Sequence, residues 1–149
     1  MPTMTHVVTV RCPAPAAREL FFDWGRDRSW RTSVQRMTVH PAGPAVEGQR
    51  IVEELRLAGL TFITPTRIES VHPHRVTWSG SNDQVEIRGW RQIEPAGSET
   101  CRLTEVVDVR LRGALRPLTP VLAPLYRRTM RCELARLTQE LERVAVDWD

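Results

Sequence analysis

The stretch that decides the fold is "PVLAPLYRRTMRCELARLTQELERV", Pro120 to Val144. Within it Leu122, Tyr126, Met130, Leu134, Leu137, Leu141 and Val144 recur at intervals of three and four. That spacing puts one apolar stripe along a long helix that begins at Pro120 or Pro124. Arg127, Arg131, Arg136, Glu140 and Arg143 occupy the opposite face, with Arg136 and Glu140 spaced for an i, i+4 pair. An amphipathic helix gains most of its stability by laying its stripe on another apolar surface. The rest of the chain must therefore supply that surface.

From Val34 to Arg112 it supplies strands. Apolar and polar residues alternate there with a period of two, and short turns punctuate the runs at Ala58–Gly59, Gly80–Asp83 and Pro95–Glu99. Strands joined by short turns form an antiparallel meander. A first strand over about His6 to Cys12 precedes them and stops at Pro13 and Pro15. Between it and the meander lies "APAARELFFDWGRDRSW". Leu20, Phe21 and Trp24 fall there at helical spacing, Pro15 sits near the first turn, and Gly25 marks a stop. A second short helix or turn then brings the chain back to the sheet. The expected order is strand, two short helices, six strands and one long helix. The fold class is α+β: a curled seven-stranded antiparallel sheet wrapped around the C-terminal helix, as one domain over residues 1–149.

Composition bounds the function classes. Hydrophobic residues make up 41% of the 149 and charged residues 26%, which is ordinary for a soluble globular protein. Neither a signal peptide nor a membrane span is indicated by the hydropathy of the sequence. Cys12, Cys101 and Cys132 are odd in number and widely spaced, which points to free thiols and a cytoplasmic location. The formal net charge is +3, and all 21 basic residues are arginine. Seven of them fall between Arg110 and Arg136 against one acid, Glu133. Such a run is either a solvated helix face or a surface for an anionic partner. Nucleic acid is excluded as that partner, because no element interleaves basic and aromatic residues. His72-Pro73-His74 sits in a turn with no further ligands close by, so no metal site is expected.

The stretches "VRCPAPAARELFFDWGRDRSW", "EGQRIVEELRLAGL", "TRIESVHPHRVTW", "GSETCRLTEV" and the C-terminal helix resemble, in this order from Val8 to Glu142, the START/polyketide-cyclase superfamily (SRPBCC). These are helix-grip folds related to the birch pollen allergen, and this chain looks nearest to the polyketide cyclase/dehydrase and aromatase/cyclase members. The resemblance implies an apolar cavity between sheet and long helix, sized for a small hydrophobic molecule. It also implies a cofactor-independent cyclase or dehydratase of secondary metabolism, acting as monomer or homodimer. A non-catalytic carrier or ligand sensor is the alternative, since it needs the cavity alone.

The resemblance places Trp30 at the cavity mouth and Trp90 on a strand lining the pocket, with Trp78 on the strand next to it. It puts Arg67 where the aromatase/cyclases carry an arginine that polarises a substrate carbonyl. The alternation leaves Arg67 open, since Phe62, Thr64, Thr66 and Ile68 form one face of its strand and Ile63, Pro65 and Arg67 the other. Phe62, Tyr126 and Met130 are further ligand contacts. Glu53, which shares a face with Ile51, Leu55 and Leu57, is a candidate general acid or base. So is Glu105, on a face with Cys101, Leu103, Val107 and Val109. Asp108 is the counter-candidate on the other face. The family's tyrosine after the helix-turn tryptophan is missing, and the only tyrosine is Tyr126. An acidic acyl carrier protein is the partner that Arg127, Arg128 and Arg131 would suit.

Overall fold

A computed structural model describes residues 3–147. Seven strands form one antiparallel sheet: β1 (Thr3–Val10), β2 (Val34–His40), β3 (Arg50–Leu57), β4 (Leu60–Val71), β5 (Arg75–Ser81), β6 (Val85–Pro95) and β7 (Cys101–Leu111). The order across the sheet is β1-β7-β6-β5-β4-β3-β2. Sequential strands are thus neighbours from β2 to β7, and β1 closes on β7. Helix α1 (Ala14–Phe21) and a 3-10 turn (Trp24–Ser29) lie between β1 and β2. A second 3-10 turn (Gly113–Leu118) leads into the long helix α2 (Thr119–Asp147). This is the expected α+β helix-grip architecture.

Local chemistry explains the joints. The β3–β4 turn has Ala58 at φ 53° and Gly59 at φ 79°, the two left-handed central positions of a type I′ hairpin. The β5–β6 turn covers 82–84 and begins two residues later than expected. β5 runs on through Gly80 to Ser81, and the Asn82 side chain accepts from the backbone N–H of Gln84 (2.8 Å) and Val85 (2.9 Å). Strand β1 ends at Val10, two residues earlier than expected. Gly25 is not the helix stop. Helix α1 ends at Phe21, and Asp23 breaks the run with extended backbone while its carboxylate accepts from Gly25 N (3.1 Å). An aspartate that caps the next turn ends one helix and starts another in the same step.

The stripe of α2 is buried where the sequence places it: Leu122, Met130, Leu134, Leu137 and Leu141 are all buried. They meet the inward faces of the strands, among them Met4, Ile51, Ile68, Ile93 and Leu103. A smaller apolar group of Val34, Leu55, Leu57, Phe62 and Leu122 packs toward the other end of the helix. The cavity opens beside this second group.

Candidate functional site

Strand alternation builds an outer chamber. Inward positions of β3, β4, β6 and β7 bring Leu55, Leu57, Phe62, Ile87 and Leu111 around it, and α2 adds Leu122 from above. The enclosed space that water-sized groups can occupy measures about 50 Å³, and counting the volume open to solvent at the mouth raises it to about 590 Å³. The polar lining residues are Glu53, Thr64, Thr119 and Tyr126. This is an apolar bowl with a few convergent polar groups, the usual make-up of a small-molecule site.

Glu53 and Tyr126 also line a second, inner chamber with Arg31, Trp78, Arg91 and Glu105. Behind it lies a buried ionic cluster. Asp27, fully buried, accepts from Arg91 through both carboxylate oxygens (Nη1 2.9 Å, Nη2 2.6 Å) and from Arg31 Nη1 (2.9 Å). Arg31 pairs in addition with Glu53 and lies 3.6 Å from Glu133. Glu133 in turn accepts from Ser33 N (2.9 Å) and Ser33 Oγ (2.6 Å). Glu105 stands directly opposite Arg91 in the β6–β7 register, but its oxygen is 3.7 Å from Arg91 Nε, too long for a hydrogen bond.

Electrostatics divides these groups. Burial works against the charged form of Arg31, but the carboxylates of Glu53, Asp27 and Glu133 outweigh it and hold the guanidinium well above its ordinary value. Arg91 is also raised: burial opposes its charge, and Asp27 and Glu105 outweigh burial. For Glu105 burial wins over Arg91 and Arg31, and its carboxyl titrates above the usual range. Burial likewise pushes the Tyr126 phenol upward, against the pull of Arg31. The inner chamber therefore combines fixed cations, a carboxyl biased toward its protonated form and a phenol that stays protonated.

The sequence-predicted residues divide between chamber, core and surface. Glu53 and Glu105 face inward, on the faces shared with Ile51 and Leu103. Phe62 and Tyr126 line the outer chamber and Trp78 the inner one. Trp30 and Met130 are core residues, buried but absent from both linings. Trp30 packs on Phe21 (ring centroids 6.2 Å) and beside the Arg91 guanidinium (5.1 Å).

Two expectations are corrected. Arg67 is exposed on the outer face of β4, because Phe62, Thr64 and Ile68 take the inner one. Trp90 also faces outward, where the Arg75 guanidinium lies 4.7 Å from its ring. The counter-candidate Asp108 is half-buried on the outer side of β7, paired with Arg88 at 3.3 Å. His72 and His74 are exposed in the β4–β5 turn. Among the described residues no group of three or more His, Cys, Asp or Glu is arranged to hold a metal.

The sequence reading missed Arg31, Arg91 and Asp27. Arg91 had a signal: it follows Ile87 and Gly89, and precedes Ile93, on one face of its strand. A lone guanidinium on an apolar face needs a buried partner. That partner comes from the segment Phe21–Trp30. Phe21, Trp24 and Trp30 surround the Arg91 guanidinium at 5.2, 4.1 and 5.1 Å, and Asp27 and the Phe21 carbonyl (3.0 Å) accept its hydrogen bonds. The two tryptophans six residues apart are the walls of a box for one arginine.

A curled antiparallel sheet gripping a C-terminal helix over an apolar cavity defines a helix-grip, START-like protein. The chain belongs to the family described as polyketide cyclase/dehydrase and lipid transport, whose model matches residues 1–142. Solved structures share the fold at low identity. The ZhuI aromatase/cyclase from Streptomyces sp. R1128 is 17% identical with a TM-score of 0.79, covering 95% of this chain and 94% of that one. A protein from Thermus thermophilus is 14% identical with a TM-score of 0.81, covering 97% and 99%. A START superfamily protein from Mycobacterium smegmatis is 14% identical with a TM-score of 0.71, covering 99% of each chain. No curated protein sequence matches this one significantly. Among the described residues no helix is long and apolar enough to cross a membrane.

Proposed function

We propose that the protein holds a small hydrophobic molecule, aromatic, polyketide or lipid-like, in the outer chamber and acts on it as a cofactor-independent cyclase or dehydratase. One observation carries this reading. Glu53 and Tyr126 line both chambers, so an apolar ligand that fills the bowl presents its inner end to titratable groups. In an aldol closure, the Glu53 carboxylate would take a proton from the carbon between two carbonyls. The Tyr126 hydroxyl would donate to the enolate oxygen as charge develops. The new carbon–carbon bond leaves a second oxygen that needs a proton, and Glu105 is the buried carboxyl suited to carry one. Dehydration then follows when the Glu105 carboxylate removes the remaining proton from the carbon between the two carbonyls and Glu53 returns its proton to the departing hydroxyl, so that water leaves and both carboxyls regain their starting states.

The basic face of α2 extends the proposal. Arg127, Arg128 and Arg131 are exposed there, and Glu133, the acid among them, points inward and is buried. An acidic acyl carrier protein would meet an uninterrupted positive surface on the helix that roofs the cavity. Charge reversal at Arg127 and Arg131 should weaken carrier-protein binding at low salt, and unchanged affinity would remove this partner.

A second reading, a carrier or sensor, rests on a different observation. Asp27, Arg31 and Glu133 bond to one another or to Ser33, so much of the inward charge is already satisfied without a ligand. The two readings separate in one experiment. Compounds captured from a bacterial extract by wild type, Glu53→Gln and Tyr126→Phe are compared by mass spectrometry. A compound chemically altered by wild type and bound unaltered by Glu53→Gln supports the enzyme. The same compound bound unaltered by all three supports the carrier.

A further inference from the structure

We infer that the inner chamber is a subsite for a single neutral carbonyl oxygen of the ligand, received by the indole N–H of Trp78 and the Nε–H of Arg91, and that it discriminates against carboxylates. The inference rests on the cavity being a ligand site and adds the chemical class of the ligand's inner end.

Two buried donors carry it. Trp78 Nε1 and Arg91 Nε have no hydrogen-bond partner among the described residues, although Trp78 is 9% exposed and Arg91 1%. Both side chains line the inner chamber. An N–H left bare in a protein interior costs free energy, so a position that keeps two of them is a position where an acceptor belongs. The chamber has room for about one water-sized group. A ring or chain does not fit there, but the terminal oxygen of a ligand seated in the outer bowl does.

The backbone fixes both donors in place. Trp78 lies opposite Gly89 in the β5–β6 register. A Cβ at Gly89 would stand 3.2 Å from Trp78 Cζ2 and 2.1 Å from the Val106 carbonyl oxygen, so the indole rests where only glycine leaves space. Arg91 is two residues further along the same inward face, its Nη atoms clamped by Asp27. The clamp consumes the far end of the guanidinium and leaves Nε without a hydrogen bond, beside the Glu105 carboxyl 3.7 Å away on the wall of the chamber.

Charge sets the class of acceptor. Asp27, Glu53, Glu105 and Glu133 face Arg31 and Arg91, so even with Glu105 protonated three carboxylates stand against two guanidiniums. A ligand carboxylate would add a further negative charge to a group that already has an excess of them, in a medium of low dielectric. A ketone or ester oxygen accepts the same two hydrogen bonds without that cost. The alternative occupant is a water molecule, which would leave the cavity indifferent to the ligand's inner end.

The test uses three probes of nearly one shape: 2-acetylnaphthalene, 2-isopropenylnaphthalene, which has CH₂ in place of the oxygen, and 2-naphthoate. Binding is measured by calorimetry for wild type and for Trp78→Phe, which keeps an aromatic ring and removes the N–H. Wild type should prefer the ketone over the hydrocarbon about five- to tenfold, the effect of a buried hydrogen bond or two, and should bind the carboxylate most weakly. Trp78→Phe should lose most of the preference while its affinity for the hydrocarbon stays within about twofold. In ¹⁵N-labelled wild type the indole resonance absent from Trp78→Phe should shift with the ketone and not with the hydrocarbon. Equal binding of ketone and hydrocarbon by wild type would show that the chamber holds water only and would overturn the subsite while leaving the cavity as a ligand site. Tightest binding of 2-naphthoate would overturn the charge argument. No binding of any probe would remove the ligand-site reading and the subsite with it.

Discussion

Asp27→Asn is the perturbation that best tests the physical account of the site. The substitution keeps the shape of the side chain and exchanges one carboxylate oxygen for an NH₂. In the folded protein Asp27 Oδ2 accepts from Arg91 Nη2 at 2.6 Å and Arg31 Nη1 at 2.9 Å, while Oδ1 accepts from Arg91 Nη1 at 2.9 Å. If the amide oxygen takes the Oδ1 position, two charge-assisted bonds become donor-against-donor contacts; in the flipped amide one is lost. Each such bond contributes about 1.5–3 kcal/mol, and two buried guanidiniums lose the charge that compensates them. The expected loss is about 3–5 kcal/mol, the range for breaking a buried ion pair from one side. Against a typical total of about 5–15 kcal/mol that is a large fraction, and the melting temperature should fall by about 10 °C or more. Urea unfolding at neutral pH, followed by tryptophan fluorescence, reads it directly. A double-mutant cycle isolates the pair: Arg91→Met should cost less in the Asp27→Asn background than alone. A single-mutant loss below about 1 kcal/mol would refute the claim that Asp27 anchors the cluster. Additive losses would refute its coupling to Arg91.

Further expectations follow from the same geometry. Glu105 titrates higher in the folded protein than in the unfolded chain, so its contribution is intact below the unfolded value and is lost as pH rises through the folded one. Glu105→Gln should therefore gain stability relative to wild type as pH rises above the unfolded carboxyl value of about 4.3, and a flat or falling difference across denaturation curves would sink the assignment. Arg67→Ala, on the outer face, should change stability by less than about 0.5 kcal/mol and leave the set of captured compounds unchanged; a lost ligand would return Arg67 to the site. Leu134→Ala removes a side chain buried between α2 and the sheet and should cost about 2–5 kcal/mol by urea titration. Burial lowers the His6 pKa, and Arg131 and Arg127 lower it further. The Arg127→Glu/Arg131→Glu variant should accordingly raise it in an NMR titration, with no carrier protein present.

The long helix and the meander were legible because their signals are local. A stripe at intervals of three and four has one helical solution, and Ala58-Gly59 between alternating runs has one turn solution. Arg67 was not legible, because β4 has apolar residues on both faces: Ile63 and Pro65 point outward with it, and Ile63 is 54% exposed. The inner face is fixed by register with β3 and β5, which pair Thr64 with Glu53 and Ile68 with Trp78. Gly25 misled for a related reason. Its conformational freedom is not what ends α1; the carboxylate of Asp23, two residues earlier, does so by capping the following turn. The ionic cluster was hidden by distance along the chain. Arg91 meets Asp27 across 64 residues and Ser33 meets Glu133 across 100, and nothing in the spacing of either segment names the other.

Stability alone does not account for that cluster. Removing two guanidiniums and four carboxyls from water is costly, and well-packed apolar residues of the same volume would hold α2, β6 and the 3-10 turn at least as firmly. What an apolar replacement would not do is orient polar atoms toward the cavity. Asp27 grips the two Nη atoms of Arg91 and so fixes where Nε points. Arg31 ties Glu53 to Asp27 and so holds a carboxylate at the boundary between the chambers. The apolar bowl supplies affinity that scales with buried area and is nearly indifferent to chemistry. Discrimination requires groups whose hydrogen bonds only the right ligand completes. Under the proposed ligand-site reading, the buried cluster is the frame that holds such groups still, which gives a physical reason for placing so many charges at the closed end of an apolar cavity.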